Sequence, residues 1–255
     1  MTKATLRARL EAGETLFTAW CLLPEPLTAE MLARQDWDCV TLDCQHGFID
    51  YADMLAIVMA IQGAGKPALV RAPLGDEGFI GKALDAGADC IIAPMINTAE
   101  DARWFAEATN YPPIGQRSWG PMRAMDVAGL EKDDYLAKGN ELTLAWAMLE
   151  TAEALGNIDL LFTTPGIDGV FVGPNDLCNS LTGGEHVDPG HEKVVEALEL
   201  IIEKTREHNG YAAIYASTPE VARVYAEQGF QFIALGSDAG FLRNGAAAAL
   251  AAAKA

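Results

Sequence analysis

The amino-acid sequence predicts an α/β protein folded as one (β/α)8 barrel, the TIM-barrel architecture, with residues 1–255 forming a single domain. Three observations predict this fold. Short, almost continuously apolar segments, as expected for strands buried on both faces of a parallel sheet, alternate with segments of helical periodicity. About eight such pairs fit into 255 residues, and a barrel of this kind needs roughly 250. No break in composition, internal repeat or linker divides the chain.

Each predicted strand is a short apolar segment, and each predicted helix has apolar residues at helical spacing. The strands are 15–22, 39–43, 68–72, 90–95, 142–149, 169–172, 211–216 and 232–235. The helices are 51–62, 78–86, 99–108, 192–207 and 219–227, and the alanine-rich tail 245–255 is helical because alanine has the highest helix propensity. Residues 110–140 form one long connection rich in proline and glycine, with a short helix over 133–138. A doubly wound open sheet is the rival fold, but neither G-x-G-x-x-G nor a P-loop occurs.

Composition and charge exclude several classes of protein. Hydrophobic residues make up 50% of the chain, which excludes an intrinsically disordered protein. The net charge of −18 repels phosphate backbones and anionic membrane surfaces, so neither nucleic acid nor a membrane is expected as a partner. Five cysteines without a C-x-x-C pair predict free thiols in a reducing compartment. With no apolar signal segment and no stretch of about 20 apolar residues, we expect a cytoplasmic protein.

Polar side chains stand at the ends of several predicted strands, and the carboxyl ends of barrel strands converge on one site. Asp43 and His46 follow the second strand, and Arg71 ends the third. Glu150 follows the fifth strand and Asp176 follows the sixth. We therefore expect one mouth of the barrel to hold carboxylates, a histidine and an arginine.

Glu150 and Asp176 have two interpretations. Two carboxylates at one mouth repel each other unless a cation lies between them, and a divalent ion with hard oxygen ligands suits such a pair. Mg²⁺ or Mn²⁺ would keep its remaining positions for water and substrate. Alternatively, Asp176 caps a helix and Glu150 begins one. The pattern alone leaves both interpretations open.

A histidine, an arginine and a tryptophan also have structural and functional interpretations. His46, three residues after Asp43, can act as a general base oriented by that carboxylate, or lie in an ordinary surface loop. Arg71 stands in an apolar segment and needs a partner. It can bind a substrate carboxylate or oxyanion, or pair with Asp43 or Glu150. Trp20, near the end of the first strand, is either core packing or a wall of the pocket.

Several short segments together resemble the HpcH/HpaI aldolase family. The match runs in order from about residue 15 to residue 240, and its specificity lies in the whole set. The segments are LDCQHG at 42–47, VR at 70–71, KALDAGA at 82–88, PM at 94–95, YPP at 111–113 with Gly115 and Arg117, and GIDGVFVGPNDL at 166–177.

The resemblance implies a class II, metal-dependent aldolase on a (β/α)8 barrel. Such an enzyme reversibly cleaves 4-hydroxy-2-oxo acids through an enolate, giving an aldehyde and pyruvate or a related 2-oxo acid such as hydroxypyruvate. By position, Glu150 and Asp176 resemble the ligands of a divalent cation, Mg²⁺ or Mn²⁺, with Co²⁺ as a further candidate. His46 resembles the base with Asp43 beside it. Arg71 resembles the residue that stabilises the keto oxygen as negative charge develops.

The resemblance also implies how substrate and subunits are arranged. The backbone amides of Asn175 and Asp176 match those that hold the pyruvate carboxylate. Asp85, whose charge at the end of a predicted helix opposes the helix dipole, matches a position that supports the histidine in a neighbouring subunit's site. The family forms homo-oligomers, trimers paired into hexamers, and commonly exchanges the C-terminal helix between subunits.

The chain departs from the family pattern at two positions. Met148 stands where glutamine is usual, two residues before Glu150, and Gln45 stands where glutamate precedes the histidine. The two-residue period of a strand places Met148 and Glu150 on the same face, so Met148 should line the pocket without offering a hydrogen-bond donor. We expect this change to alter the preferred 2-oxo acid or aldehyde rather than the class of reaction.

Two other functions stand as alternatives. A citrate-lyase-like C–C lyase acting on acyl-CoA esters would share the barrel and the carboxylates, but the net charge of −18 disfavours binding of the CoA phosphates. A ligand-binding or assembly protein without activity would not need the polar residues at the strand ends. No lysine ends a strand in the matched segments, which disfavours a Schiff-base aldolase.

Overall fold

The computed structural model describes residues 5–255 and confirms the predicted barrel. Eight parallel strands close in sequence order, each paired with the next and the last with the first. The strands are β1 Leu16–Cys21, β2 Cys39–Asp43, β3 Ala68–Arg71, β4 Cys90–Ala93, β5 Leu144–Leu149, β6 Gly169–Val172, β7 Tyr211–Ala216 and β8 Phe232–Leu235. Closure pairs both edges of every strand in this range, which leaves the carboxyl ends of the strands together at one mouth.

Helices surround the barrel and connect its strands. Within residues 5–255 they are α1 Leu6–Glu11, α2 Pro26–Ala33, α3 Tyr51–Gly63, α4 Glu77–Asp85, α5 Ala99–Thr109, α6 Met122–Ala128, α7 Lys132–Leu142, α8 Ala152–Gly156, α9 Ile158–Thr163, α10 Pro174–Leu181, α11 Glu192–Glu207, α12 Pro219–Gln228 and α13 Asp238–Lys254. Capping boxes at Asp50 and Thr98 fix where α3 and α5 begin. In the described range no helix is long and apolar enough to cross a membrane.

Two layers of apolar side chains hold the structure together. One lies between the strands and the surrounding helices, and the other fills the barrel interior. In the interior, the ring of Trp146 meets Phe232 edge to face with centroids 4.6 Å apart. Leu6 and Leu10 of α1 join this interior cluster and close the amino-terminal end of the barrel. Burial of each such large side chain stabilises the folded protein by roughly 1.5–3 kcal/mol. The amino-terminal end of the barrel is therefore a stabilising core and not an opening.

The elements differ from the prediction mainly at strand ends and in short helices. β4 ends at Ala93 because Pro94 has no N–H for the ladder and Met95 adopts a left-handed φ of 56°. β5 begins at Leu144 because the preceding helix continues to Leu142. The unpredicted helices have eight residues or fewer, too short for a clear apolar period; they are α1, α2, α6, α8, α9 and α10.

The long connection 110–140 is a packed part of the barrel rather than an open loop. It contains α6 and most of α7, and α7 includes the predicted helix 133–138. Trp119 lies against Tyr111 and Tyr135, with ring centroids 5.1 and 6.2 Å away. Both tyrosines are buried, so an aromatic cluster anchors the segment.

The C-terminal helix α13 confirms the helix predicted for the alanine-rich tail. Its first residue Asp238 is buried, but residues 241–255 are all exposed. Leu242 and Leu250 are 68% and 55% exposed. The apolar side of α13 therefore remains in contact with solvent in a single chain.

Candidate active site

A cavity of about 230 Å³ opens at the carboxyl ends of the strands, where the sequence predicts the site. Its lining is Trp20, Leu22, Asp43, His46, Arg71, Met148, Phe171, Gly173, Pro174, Asn175, Asp176 and Tyr215. Every predicted site residue is in this lining except Glu150 and Asp85. Glu150 lies directly behind the lining residue Gly173. Asp85 lies away from the cavity, where it pairs with Arg117.

Asp43 and Arg71 form a buried ion pair on one side of the cavity. They end β2 and β3 and lie opposite each other in register. Arg71 Nε donates to Asp43 Oδ1 at 2.8 Å, and Nη2 donates to Oδ2, so two contacts fix the guanidinium plane. Burial by itself raises the pKa of Asp43, but the hydrogen bonds and positive charge of Arg71 outweigh it and hold the pKa below the ordinary value of 3.8. Asp43 is thus the partner that Arg71 needs.

The turn after β2 is built around the Asp43 carboxylate. Asp43 Oδ1 accepts the backbone N–H groups of Gln45 and His46, each at 3.1 Å. Gly47 is required here, because a Cβ would lie 2.1 Å from the Asp43 carbonyl oxygen. Asp43 thus binds the backbone N–H of His46. Among residues 5–255, no hydrogen bond joins the Asp43 carboxylate to the His46 imidazole, which is the contact that the sequence led us to expect. Arg71 and the N–H groups of the turn already occupy the carboxylate, while the His46 side chain is exposed at the cavity mouth.

Trp20 forms a wall of the cavity and touches both members of the ion pair. Its indole N–H donates to Asp43 Oδ2 at 3.2 Å. Its ring lies 5.1 Å from the guanidinium carbon of Arg71, within cation–π range. Phe171 and Tyr215 pack against the other sides of the indole, with centroids 5.6 and 5.9 Å away. Trp20 fits both of its interpretations, because it is buried in the interior cluster and also lines the cavity.

Glu150 is a buried carboxylate with one oxygen fixed and the other directed toward the cavity wall. It follows β5 directly and is 4% exposed. Its Oε1 accepts the backbone N–H of Met95 at 2.8 Å. Its Oε2 would lie 3.0 Å from a Cβ at Gly173, so the glycine leaves room beside it. Burial raises the pKa of Glu150 above the ordinary value of 4.5, and the negative charge of Asp176 raises the pKa further.

The capping interpretation of Glu150 and Asp176 finds no support in the geometry. The residue that caps α8 is Thr151, whose hydroxyl accepts the N–H of Ala154. Gly173 is the N-cap of α10, so Asp176 lies within the first turn, exposed and in the cavity lining. Both carboxylates are hard oxygen donors, and burial together with the negative charge of Asp176 raises the pKa of Glu150. The donor set therefore fits a divalent cation.

The first turn of α10 adds backbone donors to the same side of the cavity. The N–H of Leu177 bonds to the carbonyl oxygen of Gly173 at 2.9 Å. The N–H groups of Asn175 and Asp176 precede this bond and therefore lie at the open end of the helix. Such an end carries positive partial charge and suits a substrate carboxylate.

Asp85 lies outside the cavity of its own chain. It ends α4, and its Oδ1 accepts Nη2 of the buried Arg117 at 2.8 Å. A Cβ at Gly120 would lie 2.8 Å from Asp85 Oδ2, so the chain passes close to the carboxylate. Within one chain, Asp85 thus holds the 110–140 connection. Its role in a neighbouring subunit's site stays a prediction.

Met148 lies in the cavity lining, as its strand position predicts, and is 2% exposed. Its Cε would lie 3.5 Å from a Cβ at Gly173, beside the Glu150 carboxylate. Together with Phe171 and Trp20 it gives this part of the cavity an apolar wall. No side-chain amide stands at this position to donate a hydrogen bond.

Sequence analysis gave no site role to five lining residues, or to Met95, which binds Glu150 through its backbone. The five lining residues are Leu22, Phe171, Gly173, Pro174 and Tyr215. Phe171 and Tyr215 lie on predicted strands, and inward-facing positions alternate along a barrel strand. That alternation was a usable signal for both, whereas Met95 was marked only by the matched PM segment at 94–95, which does not indicate its backbone conformation.

A different group of possible metal ligands lies at the opposite end of the barrel. Among residues 5–255, potential ligand atoms of Asp159, Glu207 and His208 lie within 4.8 Å of one another. His208 lies just before β7, and the two carboxylates are exposed. Lys204 Nζ lies 3.2 Å from Asp159 and 2.9 Å from Glu207, so a protein cation already balances these charges.

Comparison with known proteins agrees with this geometry. A family model described as HpcH/HpaI aldolase/citrate lyase matches residues 16–245. The chain belongs to this family. Among curated relatives, the hydroxypyruvate/pyruvate aldolase of Rhizorhabdus wittichii is 39% identical over 243 residues, covering 95% of this chain and 96% of the relative. The 5-keto-4-deoxy-D-glucarate aldolase of Klebsiella pneumoniae is 31% identical over 93% of this chain and 92% of its own length.

A solved structure supports the same assignment. An HpcH/HpaI aldolase/citrate lyase family protein from Burkholderia cenocepacia superposes with a TM-score of 0.89 at 30% identity, over 98% of this chain and 99% of its own. The resemblance inferred from the sequence motifs is thus confirmed. This HpcH/HpaI family member is an aldolase, and hence a lyase.

Proposed function

We propose that this HpcH/HpaI aldolase is divalent-metal-dependent and reversibly cleaves 4-hydroxy-2-oxo acids into an aldehyde and pyruvate, or a related 2-oxo acid such as hydroxypyruvate. The observation that carries the proposal is the placement of Glu150, Asp176 and Arg71 around one cavity at the barrel mouth. The names of the relatives, a hydroxypyruvate/pyruvate aldolase and a 5-keto-4-deoxy-D-glucarate aldolase, support the same substrate class.

The residues of the chain account for binding and orientation of the 2-oxo acid. The N–H groups of Asn175 and Asp176 receive its carboxylate at the open end of α10. Glu150 and Asp176 would hold Mg²⁺ or Mn²⁺, and such an ion supplies positive charge beside the keto oxygen. Arg71, fixed in its plane by Asp43, adds a second positive group. Because Arg71 is already oriented, little reorganisation is needed when the oxygen becomes negative.

His46 moves the proton in this proposal. In the direction of synthesis, the imidazole accepts a proton from C3 of the 2-oxo acid, and the electron pair of that C–H bond shifts to make the enolate. C3 then attacks the aldehyde carbon, and the new alkoxide takes the proton from His46. Cleavage runs through the same steps in reverse. The exposed position of His46 at the cavity mouth supports this role, because an aldehyde that enters from solvent would meet it there.

The test is exchange of the pyruvate methyl protons in D₂O, followed by NMR with Mg²⁺ or Mn²⁺ and again with a chelator. We expect exchange that requires the metal and is lost in Glu150→Gln. Absence of exchange with both pyruvate and hydroxypyruvate, in a folded and metal-loaded sample, would contradict the proposal. Exchange with hydroxypyruvate alone would identify the nucleophile.

The same proposal includes a homo-oligomer, a trimer or a pair of trimers, in which α13 is exchanged between subunits. The exposed apolar side of α13, with Leu242 and Leu250, supports it. So does Asp85, which lies away from the cavity of its own chain. Light scattering on the whole protein should give a mass of three or six chains, and a monomer would contradict this part. The five cysteines are free and buried, which supports the proposed cytoplasmic compartment.

The geometry favours no second function. Among the described residues that line the cavity, Arg71 is the one arginine or lysine, and it is paired with Asp43. The phosphates of an acyl-CoA ester would need further basic groups at the mouth. The citrate-lyase-like alternative therefore gains no support from the site.

A further inference from the structure

The turn between β4 and α5 has an unusual backbone next to the proposed metal site. Met95 adopts φ 56°, a left-handed conformation that is unfavourable for residues carrying a Cβ. Its side chain is 39% exposed, so side-chain packing does not explain the conformation. A residue held in such a region needs support from its surroundings, and such residues cluster at functional sites.

Asn97 supplies that support from the same turn. Its side-chain amide donates to the carbonyl oxygen of Met95 at 3.2 Å. Its side-chain oxygen accepts the hydroxyl of Thr151, the residue that follows Glu150. Its own carbonyl oxygen accepts the side-chain amide of Asn157 at 2.8 Å. Asn97 therefore ties the turn to the segment that carries Glu150.

The left-handed turn directs the N–H of Met95 at the Glu150 carboxylate. The N–H donates to Oε1 at 2.8 Å in a partly buried contact, and the Glu150 carboxylate itself is buried, so leaving this hydrogen bond unmade is costly. This contact occupies one carboxylate oxygen and leaves Oε2 beside Gly173 on the cavity side. A contact of this kind sets both the rotamer of a ligand and the oxygen that it presents.

We propose that Met95 is a positioning residue, whose left-handed backbone fixes Glu150 so that Oε2 is presented to a divalent cation. This inference rests on the proposed metal-dependent function. It assigns the effect to the backbone conformation at position 95 and not to the methionine side chain. A turn that merely connects β4 to α5 would have no influence on metal affinity.

Two substitutions separate backbone from side chain. Met95→Gly and Met95→Val both remove the thioether, but glycine adopts a left-handed φ freely and a β-branched valine does not. The dissociation constant of Mn²⁺ is measured by electron paramagnetic resonance of the free ion, with Glu150→Gln as reference. We expect Met95→Gly to bind Mn²⁺ as the wild type does and Met95→Val to bind at least about tenfold more weakly. Circular dichroism and thermal midpoints of the metal-free proteins check folding, and Met95→Thr replaces the valine variant if that does not fold.

The outcomes distinguish this inference from the proposed function. If Glu150→Gln binds Mn²⁺ as tightly as the wild type, the metal site itself is wrong. If Glu150→Gln weakens binding while the glycine and β-branched variants both match the wild type, the positioning role is overturned. Equal weakening by glycine and valine would also overturn it, because the side chain would then be responsible.

Discussion

The two sides of the active-site cavity treat a buried carboxylate in opposite ways. On the β2–β3 side, Asp43 pairs with Arg71, and its pKa is held below the ordinary value. On the β5–β6 side, Glu150 forms no ion pair within residues 5–255, and burial and Asp176 raise its pKa. On the first side, an arginine of the same chain balances the charge of the carboxylate. On the second side, a bound cation would balance it. The β2–β3 side therefore has its charges paired within the chain, whereas the β5–β6 side is the one suited to a cation.

The largest expected effect comes from breaking the ion pair on the β2–β3 side. Arg71→Met leaves Asp43 buried without its cation, which should lower the free energy of unfolding by about 3–5 kcal/mol and abolish proton exchange. Urea unfolding measures the loss. The control is Arg34→Met, because Arg34 pairs with Glu30 at the surface and is 63% exposed. We expect the control to change the free energy by less than about 0.5 kcal/mol, and similar losses in both variants would remove the distinction.

The β5–β6 side should gain stability from a metal ion. Mn²⁺ at about 100 times its dissociation constant should stabilise the folded protein by about 2.7 kcal/mol, seen as a higher thermal midpoint. Glu150→Gln should lose this gain. Asp159→Asn, in the exposed cluster at the other end of the barrel, should retain it. The reverse result would move the metal site to the amino-terminal end.

Without metal, the two carboxylates should respond to pH with opposite signs. The lowered pKa of Asp43 contributes stability above pH 3.8, its ordinary pKa, and this stability is lost as pH falls through the folded value. The raised pKa of Glu150 contributes stability below pH 4.5 that is lost as pH rises through the folded value. At neutral pH in a chelator, Glu150→Gln should therefore raise the free energy of unfolding, and Asp43→Asn should lower it. Urea titrations at neutral pH and near pH 4.5 check this, since the advantage of Glu150→Gln should shrink at the lower pH.

The same contrast shows what the sequence could predict. Asp43, Arg71, Glu150 and Asp176 could be placed together, because apolar strands are recognisable and parallel strands in a barrel end at one mouth. The bonds between them could not, since they depend on rotamers and on competition for each carboxylate oxygen. That competition turned the expected Asp43–imidazole contact into a contact with the His46 backbone.

The left-handed backbone of Met95 and the helix α6 could not be predicted from the sequence either. A left-handed glycine is suggested by its residue type, but a left-handed methionine is held by distant partners such as the Asn97–Thr151 contact. The same applies to α6, whose seven residues show no clear period and are placed by packing within the 110–140 connection. The architecture was therefore predictable, and the positioning of Glu150 was not.

The smallest expected effect concerns Met148, which forms the apolar wall of the β5–β6 side. Met148→Gln would place a side-chain amide beside Gly173 at nearly the same volume, and circular dichroism checks folding because a buried amide needs a hydrogen-bond partner. A donor in that position favours a 2-oxo acid with an acceptor at C3, so we expect the kcat/KM ratio of hydroxypyruvate to pyruvate to change by up to about tenfold. The matched control is Met148→Leu, which keeps the wall apolar and should leave the ratio near that of the wild type. Identical ratios in wild type, Met148→Gln and Met148→Leu would show that Met148 does not contact the substituent at C3, and the choice of nucleophile would then rest with Phe171 and Tyr215 of β6 and β7.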